Sequence, residues 1–110
     1  MGSLTIGTIV LINFPFADLK GYKKRPAVVV ANASLKTVIL CQITSRQLPD
    51  VPGIAIAKKD FRSGELPITS YVRPDKLFTV DVSIAEQNRL GVLTDHTVDE
   101  IKNAISNLFK

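Results

Sequence analysis

Three successive cations, Lys23, Lys24 and Arg25, stand directly before Pro26, and a hydroxyl pair, Thr44 and Ser45, stands directly before Arg46. These residue types suit one class of chemistry. A guanidinium grips two phosphate oxygens at once, and a hydroxyl donates one further hydrogen bond. Converging on a single phosphodiester, the two groups would stabilise a pentacoordinate transition state without a metal. Proline fixes its own φ and pushes the residue before it into an extended conformation, which sets Arg25 at a strand entrance. The bland alternatives are structural. Residues 21–26 also read as a solvated hairpin loop, and Thr44 and Ser45 as hydroxyls that end a strand by bonding local backbone.

Counting residues removes several other chemistries. His96 is the single histidine and Cys41 the single cysteine, too few for a histidine pair or for a Cys- or His-rich zinc site. No GxxxxGK[ST] or GxGxxG phosphate loop is present. The acidic residues are scattered, so no metal and no cofactor is expected. His96 reads as a surface residue and Cys41 as a core residue of an apolar strand.

The chain has 110 residues, 45% of them hydrophobic, which fits a single folded domain. No apolar run approaches the roughly 18 residues needed to cross a membrane. No basic segment leads into an apolar core at the amino end, so no signal peptide is expected. One cysteine allows no internal disulfide and points to a reducing cytoplasm. The net charge is +4, unevenly spread: residues 20–76 carry eleven Lys/Arg against four Asp/Glu, and residues 81–110 three against five. The centre of the chain therefore favours a polyanionic partner.

The elements that must position these groups are mostly strands. TIVLINF (8–14), AVVVAN (27–32) and TVILCQI (37–43) are short runs rich in β-branched residues. GIAIA (53–57), residues 70–73 and residues 76–82 make about six strands, the last two interrupted by Pro74-Asp75. With no helix between the first three, the pattern predicts an antiparallel small barrel. Val98, Ile101, Ala104, Ile105 and Leu108 then recur at helical spacing. Thr94 is the expected N-cap, with Leu93 and Val98 spaced as a hydrophobic staple. Residues 83–90 are expected to add one or two helical turns.

The motifs Gly7-x-Ile9-Val10-Leu11-Ile12-Asn13-Phe14-Pro15-Phe16, KKRPAVVVAN, QITS, SYVRPDKLFTVD and GVLT follow one another in this order. In that order they resemble the MazF/PemK-like toxin family of toxin–antitoxin systems, from Gly7 to about Leu108. The resemblance implies an SH3-like β-barrel with a carboxyl-terminal helix, a symmetric homodimer, and a metal-independent, sequence-selective endoribonuclease that cuts single-stranded RNA such as mRNA. It also implies a cognate antitoxin. The family's catalytic arginine falls on Arg25 and its catalytic threonine on Thr44, with Ser45 adjacent. Residues 17–24 resemble its mobile loop at the RNA and antitoxin groove. Two positions depart from the pattern: Thr8 stands where an aspartate is common, and Phe78 where an arginine is common.

On this basis the expected reaction is attack of an RNA 2′-hydroxyl on its own phosphate, leaving a 2′,3′-cyclic phosphate and a 5′-hydroxyl. Arg25 and Thr44, with Ser45 in support, would stabilise the phosphorane, while Lys20, Lys23, Lys24 and Arg46 bind backbone phosphates. No residue is assigned as the base. A non-catalytic nucleic-acid-binding barrel, or a degenerate toxin that only binds its antitoxin, remains the competing reading, with a gyrase-inhibiting relative as a third.

Overall fold

The computed structural model describes residues 4–15, 22–47, 49–50 and 53–110, leaving aside the side chains of residues 14, 15 and 22. Seven strands form one sheet: β1 (Thr8–Pro15), β2 (Tyr22–Asn32), β3 (Thr37–Thr44), β4 (Ile54–Ile56), β5 (Phe61–Gly64), β6 (Ser70–Asp81) and β7 (Arg89–Leu93). Their order is β4-β6-β3-β2-β1-β7-β5, and every pairing is antiparallel. The sheet curls into a half-barrel with β4 and β5 as its edges. A four-residue helix, α1 (Val82–Ala85), follows β6, and α2 (Asp95–Asn107) closes the chain. The predicted small antiparallel barrel with a terminal helix is the fold observed.

Alternation along the strands fills both faces of the sheet. One face buries Ile9, Val28, Cys41, Ile43 and Val72 against Val98 and Ile101 of α2. The other buries Val10, Ile12, Ala27, Val29, Val38 and Leu40 against Leu4 and Ala85. Leu93 and Val98 share the first cluster, as the staple requires. Thr94 caps α2, its Oγ1 accepting the Thr97 N–H at 3.3 Å.

Three sequence-based expectations need correction. Lys23, Lys24 and Arg25 do not lie on a loop: β2 begins at Tyr22, and these residues pair with Phe14, Asn13 and Ile12 of β1. Pro26 is tolerated because the β2–β3 pairing starts only at Ala27↔Gln42, beyond the proline. Residues 70–82 are not two strands but one. The register passes from Ile43↔Val72 to Cys41↔Leu77, so the stretch holding Pro74 and Asp75 bulges out against Gln42 alone. Arg73 clasps that bulge, its Nε and Nη2 donating to the Asp75 carboxylate at 2.9 and 2.7 Å. The hydrogen bond holds the Asp75 carboxyl below its usual range and the Arg73 guanidinium above its own.

The count of about six strands becomes seven among the described residues: two expected strands merge into β6, and β5 and β7 were not anticipated. They cross at Gly64 and Gly91, where a Cβ on Gly91 would come within 2.5 Å of the Ser63 carbonyl oxygen. The glycines that hid these strands in the sequence are what lets them approach so closely.

Candidate active site

Arg25 and Thr44 come together through strand register. Val28 pairs with Cys41 and Ala27 with Gln42; the same register continued two residues sets Arg25 against Thr44 and Lys24 against Ser45. Directly paired residues of neighbouring strands have Cβ atoms about 5 Å apart. Thr44 pairs with Tyr71 of β6, and Arg25 with Ile12 of β1; the β2–β3 ladder itself ends at Ala27↔Gln42, two residues short of aligning these two pairs.

A cleft of about 380 Å³ opens at this end of the sheet. Lys23, Lys24 and Arg25 line one wall, Thr44 and Ser45 another, and Leu66, Pro67 and Ile68 a third. Arg25 and Thr44 are half-buried, whereas Lys23, Lys24, Ser45 and Arg46 are exposed. Arg46 stands just outside the cleft, beyond the end of β3. Lys20 falls outside the described residues, as does most of the segment 17–24 matched to a mobile loop.

Thr44 has its hydroxyl poised. Its Oγ1 accepts the Arg46 backbone N–H at 3.2 Å, so the hydroxyl hydrogen remains for an incoming acceptor. The same bond turns the chain sharply after β3, and here the bland and chemical readings of Thr44 are compatible. Ser70 is buried at the back of the cleft and is satisfied by the Ile68 carbonyl at 3.0 Å. Among the described residues, no carboxylate or imidazole lines the cleft.

The remaining candidates settle plainly. His96 is exposed on α2, 3.7 Å from Glu100. Cys41 is fully buried, and desolvation, with Asp75 adding to it, pushes its thiol up to about 12. Thr8 is buried rather than open at the barrel mouth, its Oγ1 donating to the Thr5 carbonyl at 2.6 Å. Phe78 is half-buried on the face of Leu40, its partner on β3. Sequence reasoning missed the Leu66–Ile68 wall, since nothing local in 66–68 announces a cleft wall.

A family model described as the PemK-like, MazF-like toxin of type II toxin–antitoxin system matches residues 5–109. Among solved structures, an endoribonuclease from a Mycobacterial species superposes with a TM-score of 0.73 at 18% identity, over 99% of this chain and 93% of that one. A MazE-MazF structure (Form-III) from Deinococcus radiodurans gives 0.72 at 19% identity, over 94% of each chain. The Mycobacterium tuberculosis toxin MazF-mt6 gives 0.65 at 18% identity, over 91% of this chain and 95% of that one. At such identities the structural likeness establishes a shared fold. No curated protein sequence matches the chain.

Proposed function

Because the chain belongs to the PemK-like, MazF-like toxins of type II toxin–antitoxin systems, we propose that it is an endoribonuclease that cuts single-stranded RNA between Arg25 and Thr44. The observation that supports this reading is that Arg25 and Thr44 line one cleft together with Lys23, Lys24 and Ser45, while Thr44 Oγ1 accepts the Arg46 N–H and so keeps its own hydrogen for another acceptor.

The O2′ of the substrate attacks the adjacent phosphorus while the bond to O5′ breaks. Products are a 2′,3′-cyclic phosphate and a 5′-hydroxyl, and the proton lost by O2′ is balanced by one gained at O5′. Arg25 neutralises the charge gathering on the non-bridging oxygens, and Thr44 donates to one of them. With no carboxylate or imidazole in the described cleft wall, positive charge carries the catalysis. It stabilises the phosphorane and acidifies O2′. Arginine itself stays protonated and serves as a donor rather than a base. Ser45 is the second hydroxyl in reach, and Lys20, Lys23, Lys24 and Arg46 hold the flanking phosphates.

The toxin's regulator is an antitoxin, as MazE accompanies MazF in the Deinococcus structures. An acidic, flexible segment laid over the cationic cleft would cover Arg25 and silence the enzyme. The active unit is a homodimer. The apolar groove between α2 and the sheet, lined by Ile6, Val30, Ile39, Leu77 and Ile105, offers surface for it.

The test is incubation of antitoxin-free protein with a long single-stranded RNA in EDTA. Discrete cuts bearing 5′-hydroxyl and cyclic phosphate ends support the reading. Intact RNA, or cuts that need added metal, refute it.

A further inference from the structure

Beside the Arg25–Thr44 pair lies a second hollow, of about 380 Å³, whose lining includes Ile12, Gln42, Lys76, Phe78 and Val80. We propose that this hollow is a nucleobase pocket, in which Gln42 reads the edge of one base of the RNA strand and Phe78 forms an apolar wall. The inference rests on the ribonuclease reading and assigns residues of this chain to the sequence selectivity that the family resemblance implies.

Register fixes the geometry. Cys41 and Ile43 point into the core cluster beneath α2, so Gln42 and Thr44 point to the opposite face. Ala27 belongs to the cluster on that opposite face, and alternation along β2 sends Arg25 the same way. Gln42 therefore stands one pleat, about 7 Å, from Thr44 on the same side of the sheet. Ile12, the partner of Arg25 on β1, forms both the neighbour of the phosphate site and a wall of the hollow. A strand held by its phosphate at Arg25 and Thr44 can lay the adjoining base into this hollow.

The chemistry of the lining selects a base over an apolar protein side chain. Among the described residues the half-buried Gln42 amide makes no hydrogen bond. A buried partner lacking donors and acceptors would strand that amide at a cost. A base supplies both a donor and an acceptor to it, as RNA-reading proteins exploit for unstacked bases. Phe78, Ile12 and Val80 give the apolar surface that covers the base's faces, and exposed Lys76 adds a cation at the rim for a neighbouring phosphate.

The experiment has two arms. In the first, RNA randomised around the cut site is digested and its ends sequenced, for wild type, Gln42→Leu, Phe78→Ala and Lys76→Ala. In the second, binding is measured to short strands carrying a 2′-deoxy sugar at the cut, in four versions differing at the adjoining base. We expect wild type to favour one base at one position. Gln42→Leu should flatten that preference about tenfold, and Lys76→Ala should weaken all four strands alike. Cutting with an unchanged base preference in both Gln42→Leu and Phe78→Ala overturns the pocket and leaves the ribonuclease standing. Base-selective binding lost in Gln42→Leu without any cutting keeps the pocket and overturns the ribonuclease. No cutting and no binding overturns both. A change in sedimentation mass on Phe78→Ala with base preference intact makes the hollow a protein contact and also overturns the proposal.

Discussion

Arg25 on β2 and Thr44 on β3 line one cleft, just past the last β2–β3 pair, Ala27↔Gln42, whose register continued two residues would align them. Nineteen residues apart in sequence, they meet because β2 and β3 form a tight antiparallel pair. The placement is rigid at both ends. Pro26 constrains the backbone after Arg25, and the Arg46 N–H holds Thr44 Oγ1. Donors fixed in this way lose little entropy when a phosphate arrives, which is where such sites gain rate.

RNA affinity should be steeply salt-dependent. Lys23 and Lys24 are exposed on the cleft wall, and each phosphate they neutralise releases condensed counterion. Substituting either by alanine should reduce the slope of log K against log salt by about 0.7. A titration of binding to single-stranded RNA over a range of salt measures it, and an unchanged slope removes the residue from the interface.

Cys41 should make the protein less stable in alkali. Burial, with the nearby Asp75 charge adding to it, pushes its thiol from an ordinary value near 9.0 up to about 12. The unfolded thiol ionises first, so stability is fully present below about pH 9 and is lost as pH rises toward about 12. Urea unfolding at neutral and alkaline pH should show this decline, and Cys41→Val should lack that part of it. The folded protein should also resist thiol reagents that label it readily in denaturant.

The crossing of β5 and β7 should tolerate no side chain. Gly91→Ala places a Cβ against the Ser63 carbonyl at 2.5 Å, and backbone cannot swing aside as a side chain can. Gly64→Ala adds the burden of φ +76°. Each should cost about 1–3 kcal/mol, read as a lower thermal midpoint, with Gly64→Ala the worse.

Asp60 ties the turn before β5 to the start of α2. Its Oδ1 accepts from the buried Thr97 hydroxyl at 2.9 Å, and its Oδ2 from the Ala57 N–H at 2.8 Å. Asp60→Ala strips the acceptor from both, and about 1–3 kcal/mol of stability should go with it. Chemical denaturation against Asp60→Asn, which keeps one carbonyl oxygen, separates the bonds from the charge.

The sequence disclosed what local rules govern. Runs of β-branched residues gave β1 and β3 nearly to the residue, and Thr94, Leu93 and Val98 announced α2. The failures share a cause in tertiary pairing. Lys23–Arg25 read as loop because charge and Gly21 precede a proline, yet β1 recruits them into β2. Pro74-Asp75 read as a break, but a bulge clasped by Arg73 carries the strand through. Gly64 and Gly91 lower strand propensity, and only the close crossing explains them. Of the residues that line the cleft, Arg25, Thr44 and Ser45 were singled out by residue type and resemblance, and their roles are what the variants below test. The 66–68 wall is set by packing, to which motif reading is blind.

The central claim is that Arg25 and Thr44 act on one phosphate. Single-turnover cleavage of one RNA site in EDTA, comparing wild type with Arg25→Ala, Arg25→Lys, Thr44→Val, Thr44→Ser and the double Arg25→Ala/Thr44→Val, tests it most directly. We predict losses on the order of 100-fold or more for Arg25→Ala and Thr44→Val, little rescue by lysine because the bidentate grip is lost, and substantial activity in Thr44→Ser. The double variant should lose less than the product of the two single losses, since both donors serve one transition state. Cleavage within a few-fold of wild type in Arg25→Ala, or wild-type rates in Thr44→Val, would contradict the account.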